Sequence, residues 1–527
     1  KPSENSPLEN VSYLSNELVL ENGASVLHAF DYRTILIEQL KFRKDRYVTE
    51  EEWKQLHNDC SEKSKQLFPS LTMIVCETLK HVERGRSLFK YTEKYHQQSI
   101  NNTAIATYMS LLSLNYFSSL SIVGDKSSSV WSDEILRLYN LIKQSQIKHF
   151  SSQTATNIIK GLSVTNQWEL CYQYLPFVDD ENHCLAITNV VLAALHADDI
   201  LSAIKLITNL SCTAANNTYP ITDIIHDIFR NLNPQNKESL QFIEHVFKYL
   251  SRIDSFINKP AVDKMFFYFS NYKYESFDFG TTYAYSNGTC EKLPGLCLEP
   301  AEITDEEFNI LRQYLMESAY GEKEVYNTTT PAEFKRFQSF LNGSNFTTVV
   351  DGLNVLYGVG RFGTDSSNVM DKTTKILKKM NINPKNMLFI ARKHVMKRLT
   401  PDVQLALKSM CQLFLVDDTS RDDWFILYAA FYSKAQIVTS DILRKERGFF
   451  NGAAGKTSKI NLLFQKWLYR YQYLWVKVGY KAPMAHKLRA QYRDDVWLIP
   501  YFDQPPVSVG ERPEQWFYVY KKDEQKT

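Results

Sequence analysis

The side chains in this sequence best suited to chemistry are aspartates that follow short β-prone apolar runs. Thr347-Thr348-Val349-Val350 leads into Asp351, with Gly352 next and Asn354 just beyond. Gln412-Leu413-Phe414-Leu415-Val416 is followed by Asp422 and Asp423, which open an apolar helical stretch from Trp424 to Ala430. Gln436-Ile437-Val438-Thr439-Ser440 ends at Asp441. Short continuous apolar runs read as buried parallel strands, and open α/β sheets bind ligands at the C-terminal edge of such strands. Four carboxylates gathered from three strand ends, without cysteine or histidine, suit a hard cation such as Mg²⁺ or Mn²⁺. Sites of that kind serve phosphoryl chemistry, so the first expectation is a metal-dependent nuclease.

Some assignments stay open at this level. Asp417 and Asp418 also follow a strand directly and compete with Asp422 and Asp423 for the site. Asn354 reads either as an orienting group for Asp351 or as a turn former. Lys393, His394, Lys397 and Arg398 form a basic run that suits phosphates or equally a solvated helix face.

The carboxylates need a scaffold. After Asp351, apolar strands (386–390, 412–416 and 436–440) alternate with helical stretches, which predicts a doubly wound parallel sheet. A chain of 527 residues is long enough for about three domains with cores of their own. Lys+Arg of 61 against Asp+Glu of 59 is nearly balanced, so any nucleic-acid contact must rely on local patches. Only 18 glycines favour helices over turn-rich β-sandwiches. The eight cysteines are scattered without a regular framework, as expected of reduced intracellular thiols. No apolar run reaches the roughly 18 residues needed to cross a bilayer, so a soluble chain without a membrane partner is expected. The numbering opens at Lys1 rather than Met, which is compatible with a removed leader.

Upstream of the site, residues from about Ile35 to Ile253 are patterned almost wholly as helix. Thr156-Asn157-Ile158-Ile159, Thr188-Asn189-Val190-Val191 and Thr222-Asp223-Ile224-Ile225 recur 32 and then 34 residues apart. Each is read as opening a helix followed by a second one, the signature of a helical solenoid. Tetratricopeptide and pentatricopeptide arrays fit the period, and the tetratricopeptide signature residues are missing. The recurring polar position (Asn157, Asn189, Asp223) then either reads RNA bases or caps and solvates its helix. Composition changes near Phe269 to an aromatic, β-prone segment, and the tail from about Arg489 returns to short aromatic strands able to pair with it.

Together, Val350-Asp351-Gly352-Leu353-Asn354, Arg392-Lys393-His394, Asp417 through Asp423 and Thr439-Ser440-Asp441 resemble the protein-only ribonuclease P family, its animal mitochondrial type above all. The resemblance implies a fold that is mainly α with α/β. Its parts are an N-terminal pentatricopeptide solenoid (1–270), a small β-rich connecting domain (271–300 and 485–527) and a C-terminal PIN-like, or NYN, Rossmannoid metallonuclease domain (301–484). It implies two Mg²⁺ or Mn²⁺ ions on Asp351, Asp422, Asp423 and Asp441, and favours Asp422 and Asp423 over the pair at 417 and 418. The implied activity is removal of the 5′ leader of precursor tRNA, leaving a 5′-phosphate and a 3′-hydroxyl. A mitochondrial matrix location follows, as do a tRNA methyltransferase and a short-chain dehydrogenase as partner proteins.

Two departures stand out. The family's structural zinc uses a close cysteine pair, a late histidine and a late cysteine. Here Cys290 and Cys297 are separated by six residues, too wide for the usual knuckle, and Leu498 and Tyr518 occupy the late positions. Loss of the zinc is therefore expected, with a displaced site using His486 as the alternative. The family's acidic-histidine pair after the last aspartate is replaced by Lys445 and Glu446. A non-catalytic RNA-binding adaptor with a relic nuclease domain, and an endonuclease for other structured RNA, are the competing expectations.

Overall fold

The computed structural model describes residues 48–60, 62–119, 127–145, 149–208, 221–252, 256–320, 329–359, 382–397, 399–441, 443, 445–446, 450, 458–476, 479–504 and 512–522. The chain forms two units, Lys1–Tyr219 with Asn231–His245 and Pro220–Arg230 with Val246–Thr527.

The described part of the first unit is helical. Its elements include α1 (Glu50–Asn58), α2 (Phe68–Thr78), α3 (Val82–Tyr95), α4 (Asn102–Ser119), α5 (Ser127–Gln144), α6 (Ser152–Leu162), α7 (Asp180–His196) and α8 (Ile200–Thr208). Helix α4 packs against α2, α5 and α6, and α7 against α6 and α8, so successive helices bury their apolar stripes on one another. The helix starts differ from the repeat reading. Ser151 caps α6 by accepting the Thr154 N–H, and Asp179 caps α7 by accepting the Asn182 N–H. Thr156 and Thr188 therefore lie inside their helices. The segment after α6 is a 3₁₀ stretch, Trp168–Gln173, in place of a full second α-helix.

The second unit contains α9 (Ile221–Asn231, nearly all of it) and the end of α10 (Ser239–Leu250), and it holds two sheets. The first sheet has the order β1 (Ile257–Asn258), β10 (Val496–Phe502), β11 (Gln515–Lys521), β2 (Phe277–Tyr283), with β9 (Gln491–Arg493) on β10. Here the aromatic tail pairs with the aromatic segment that follows α11 (Lys259–Asn271): β11 runs antiparallel to β2 from Gln515 opposite Tyr283 to Lys521 opposite Phe277. Phe266 and Phe269 of α11 pack their rings on Phe279 and Phe517.

The second sheet has the order β5 (Gln412–Val416), β4 (Met387–Arg392), β3 (Thr348–Asp351), β6 (Gln436–Thr439), β7 (Gln472–Val476), β8 (Gly479–Lys481). All its pairings are parallel except that of β7 with β8. Alternation along β3 sends Val349 to one face and Val350 to the other. The first face is covered by α12 (Asp305–Tyr314), α13 (Pro331–Asn342), α17 (Asp422–Ser433) and α18 (Ser458–Tyr471). The second is covered by α14 (Gly352–Val359), α15 (Lys393–Lys397) and α16 (Pro401–Met410). Burial on both faces explains why these strands are continuous apolar runs. Each fully buried large side chain, such as Phe337 or Phe389, contributes roughly 1.5–3 kcal/mol. The central strand ends on Asp351, beside the ends of β4 and β6, so the topology itself assembles an edge.

Gly352 makes the tight junction from β3 into α14 possible. A Cβ there would stand 2.7 Å from the Ile390 carbonyl oxygen and would overlap the Phe389 ring. Neither can retreat, since both belong to the neighbouring buried strand. Gly352→Ala should therefore cost about 1–3 kcal/mol through overpacking. Denaturant unfolding measures this directly, and a variant as stable as the parent would show that the junction is looser than described.

Candidate metal centre

Asp351 leaves β3 fully buried, and three donors hold its carboxylate. The Asn354 backbone N–H reaches Oδ1 at 3.0 Å, the Asn354 amide donates to Oδ2, and the Thr439 hydroxyl donates to Oδ2 at 2.7 Å. Thr439 closes β6 and in turn accepts the Asp441 N–H at 3.0 Å. Asp441 turns its own Oδ1 to the Leu443 N–H at 2.8 Å, and Gln472 of β7 donates to the Asp441 carbonyl at 2.7 Å. Asn354 is thus an orienting group for Asp351.

Asp422 and Asp423 open α17, where helix N-terminal N–H groups favour negative charge. Asp422 is buried and accepts both Nε and Nη2 of Arg392, at 3.1 and 2.7 Å. Burial, together with the charges of Glu446, Asp422, Asp351 and Asp441, pushes the Asp423 carboxyl up to about 7. Burial pushes Asp351 up to about 6 against the pull of its hydrogen bonds, and Asp422 adds to the rise. Asp423 therefore feels the charges of Asp422, Asp351 and Asp441, and Asp351 that of Asp422, across the sheet edge.

The other pair, Asp417 and Asp418, has different work. Asp418 accepts the His394 N–H at 2.7 Å and pairs with the His394 ring at 2.8 Å, which caps the short helix α15. Asp417 is paired with Lys393. Their loop is fixed by buried Glu333 of α13, which accepts the Asp417 N–H at 2.5 Å and the Ser420 hydroxyl at 2.7 Å. Lys393 and His394, read in the sequence as a phosphate-binding run, are thus already engaged by carboxylates. Arg398 lies outside the described residues.

The recurring polar position also needs correction. Asn157 is only 2% exposed; its amide donates to Thr107 of α4 at 3.3 Å and accepts from Gln153 at 3.1 Å. It is an interior link between α4 and α6, since a buried amide must be satisfied locally, and presents no edge to a base. Asn189 donates to the Leu185 carbonyl one turn back in its own helix. The Asp223 side chain lies outside the described residues.

Three contributors were not assigned from sequence. Arg392 was only part of a motif, and Glu333 reads as the third residue of a capped helix, since Thr330 accepts its N–H. Glu446 was noted only as a replacement. It is a fifth carboxylate, 2% exposed, pushed up by burial and by Asp441, with Arg421 Nη2 at 3.4 Å.

The donor set fits a hard divalent cation: oxygen ligands only, an excess of negative charge, and two carboxyls that burial and mutual repulsion hold near neutral pH. Among the described residues, no three acidic, histidine or cysteine side chains stand together closely enough to hold one ion. Asp422 is turned to Arg392 and Asp351 to Asn354 and Thr439, so loading requires at least Arg392 to release its partner.

Comparison with known proteins bears on this edge. Residues 285–518 match the family model described as protein-only RNase P. The chain is 23% identical over 496 residues to the mitochondrial ribonuclease P catalytic subunit of Rattus norvegicus, covering 90% of this chain and 78% of that protein. It is 30% identical over 245 residues to the Mus musculus protein of the same name, covering 43% of this chain and 40% of that one. Among solved structures, Arabidopsis thaliana nuclear protein-only RNase P 2 superposes with a TM-score of 0.56 at 15% identity, covering 87% of this chain and 100% of that one. A crystal structure of the same plant protein gives 0.55 over the same shares. At that identity the likeness concerns the fold, which is mainly helical with sheet.

The raised carboxyls give a pH signature. An acid whose folded value exceeds its unfolded value near 4 stabilises the fold fully below that value. The contribution is lost as pH rises through about 6 for Asp351 and about 7 for Asp423. Without divalent cations, Asp351→Asn/Asp423→Asn should therefore gain thermal stability relative to the parent between pH 5 and pH 8. Mg²⁺ should raise the parent's melting temperature more at pH 8 than at pH 5, because ligation needs ionised carboxylates. Melting curves of the two proteins that run parallel across this range would remove the basis for a shared acidic site.

Proposed function

With residues 285–518 belonging to the protein-only ribonuclease P family, we propose that this chain is a ribonuclease P catalytic subunit that removes the 5′ leader of precursor tRNA. The observation that carries the reading is the convergence of Asp351, Asp422, Asp423 and Asp441 at one edge of a parallel sheet, with Asp351 and Asp423 raised by burial and by like charge. In this proposal residues 1–270 are a pentatricopeptide RNA-binding region, 271–300 with 485–527 a connecting domain, and 301–484 an NYN or PIN-like nuclease domain. The relatives' printed names support a mitochondrial location, and the matrix is the compartment proposed. Among the described residues no helix is long and apolar enough to cross a membrane.

The four aspartates would hold two Mg²⁺ or Mn²⁺ ions. Bound there, such ions would lower the pKa of an attacking water and stabilise the departing 3′ oxygen. The chain's own residues set the stage. Asn354 and Thr439 fix the direction of Asp351, and Gln472 holds the backbone of Asp441. Arg392 neutralises Asp422, and Arg421 faces Glu446. The products would be a 5′-phosphate on the tRNA and a 3′-hydroxyl on the leader. The tRNA methyltransferase and dehydrogenase remain proposed partners, to supply whatever grip the repeats lack.

The adaptor reading draws on one observation, the Arg392–Asp422 pair occupying the site. Incubating precursor tRNA with the protein, with partner proteins added and omitted, in Mg²⁺ or in excess chelator, separates the readings. Mg²⁺-dependent release of the leader at the mature 5′ end is expected, and Asp422→Asn or Asp423→Asn should reduce it at least about a hundredfold with RNA binding retained. Binding without cleavage in every condition would make the chain an adaptor, and cleavage only of other RNAs would change the substrate.

We also propose that the connecting domain holds no zinc. Leu498 and Trp516 are fully buried beside Cys290, Leu296 and Leu298, so apolar packing fills the place of ligands. Tyr518 lies flat over its register partner Gly280, where a Cβ would come within 2.7 Å of the phenol oxygen. Elemental analysis should find no stoichiometric zinc, and one tightly held zinc per chain would refute the substitution.

A further inference from the structure

A cavity of about 390 Å³, lined by none of the four aspartates, lies against the last turns of α18, the helix that leads into the N-terminal end of β7. Its other wall is the segment around 484–489 that precedes β9. The volume falls within the range of sites that enclose small ligands, roughly 300–1,000 Å³. The walls are of two kinds. Tyr469, Leu463, Met484 and Leu488 give an aromatic and apolar portion, while Lys466, Arg470, Lys487 and Arg489 bring four cations.

These cations are not equally available. Lys466 is paired with Glu307, the one carboxylate on the wall, at 2.7 Å, and Lys487 is paired with Glu299. Arg470 spends Nε on the Ala301 carbonyl at 2.9 Å, which leaves its terminal nitrogens for another acceptor. Arg489 makes no hydrogen bond or ion pair among the described residues. Beside them His486 is 2% exposed, and neither ring nitrogen makes a well-formed hydrogen bond, although the Ser286 backbone is near. Buried imidazoles ordinarily find partners, so one left unsatisfied on a cavity wall points to a missing polar group.

We propose that this cavity binds a nucleoside monophosphate, its phosphate held by Arg489 and the Arg470 terminus and its base against Tyr469 and Leu488. Guanidinium forks match phosphate oxygens, the imidazole supplies a donor or acceptor to the sugar or base, and the apolar wall excludes a bare inorganic anion as the best fit. The nucleotide can be free or can be the 5′-phosphorylated end of an RNA. Neither source depends on the metal centre.

The test is titration calorimetry on the full chain in excess chelator, which silences cleavage. The probes are AMP, UMP, adenosine, inorganic phosphate and a 5′-phosphorylated trinucleotide. Saturable binding of a monophosphate is expected, at least tenfold tighter than adenosine or inorganic phosphate, and weakened at least tenfold in Arg489→Gln. Tighter binding of the trinucleotide, in competition with AMP, assigns the site to an RNA end, and preference for AMP or UMP assigns it to the free nucleotide. His486→Leu should weaken binding without loss of fold, but because it alters a core position, Arg489→Gln, at a half-exposed side chain, decides the matter. Absence of saturable binding by every probe, or equal binding by Arg489→Gln, overturns the proposal. Loss of cleavage in the separate precursor assay would leave it standing, since no carboxylate of the metal centre takes part.

Discussion

Everything at the candidate centre follows from burying like charges at one edge of a parallel sheet. A carboxyl raised from near 4 to about 6, as Asp351 is, costs roughly 3 kcal/mol more to ionise in place than in water. The fold meets this cost by several means at once. Helix α17 presents its N-terminus at Asp422 and Asp423, Arg392 pairs with Asp422, Arg421 faces Glu446, and Asn354 and Thr439 donate to Asp351. Of these devices, the Arg392–Asp422 pair is the one that an ion ligated by Asp422 would have to replace.

The loop from Asp417 to Arg421 shows how a structural cluster is kept distinct from the site beside it. Glu333 reaches across from α13 to hold this loop by its backbone and by Ser420, and Asp418 caps α15. Asp417 and Asp418 therefore tie the ends of β4 and β5 together. With that corner fixed, α17 begins with Asp422 turned to Arg392 and Asp423 within reach of the charges of Asp351 and Asp441. Two acidic pairs of identical composition, five residues apart, thus separate into scaffold and candidate site through the contacts of their neighbours.

That separation marks how far the sequence could be read. The strand runs ending near Asp351, Asp422 and Asp441 were legible because strands buried on both faces must be continuously apolar. The sheet order placing β3 between β4 and β6 accounts for their convergence. Glu333 and Glu446 were not legible as contributors, since each reaches its partners across long stretches of chain that no periodicity records. Asn157 misled for a related reason. A polar residue recurring at a repeat position looks like a reading face, whereas Thr107 on α4 lies within reach and makes it part of the interior. Periodicity reports spacing along a helix, and only packing decides which neighbour a polar side chain will meet.

The sheet of β1, β10, β11 and β2 shows the converse, a core held by apolar and aromatic packing. Pairing of β11 with β2, buried Leu498 and Trp516, and Tyr518 over Gly280 make a dense core there. Arg512 then joins that sheet's approach to the nuclease sheet, donating to the carbonyls of Ala482, Leu468 and Gln472. Gln472 is also the residue whose side chain holds the Asp441 carbonyl. A hydrogen-bonded route therefore runs from the segment entering β11, through the start of β7, to the backbone carbonyl of Asp441. The approach to β11 is thereby tied to the position of the Asp441 backbone, because Arg512 holds the Gln472 carbonyl and the Gln472 side chain holds the carbonyl of Asp441.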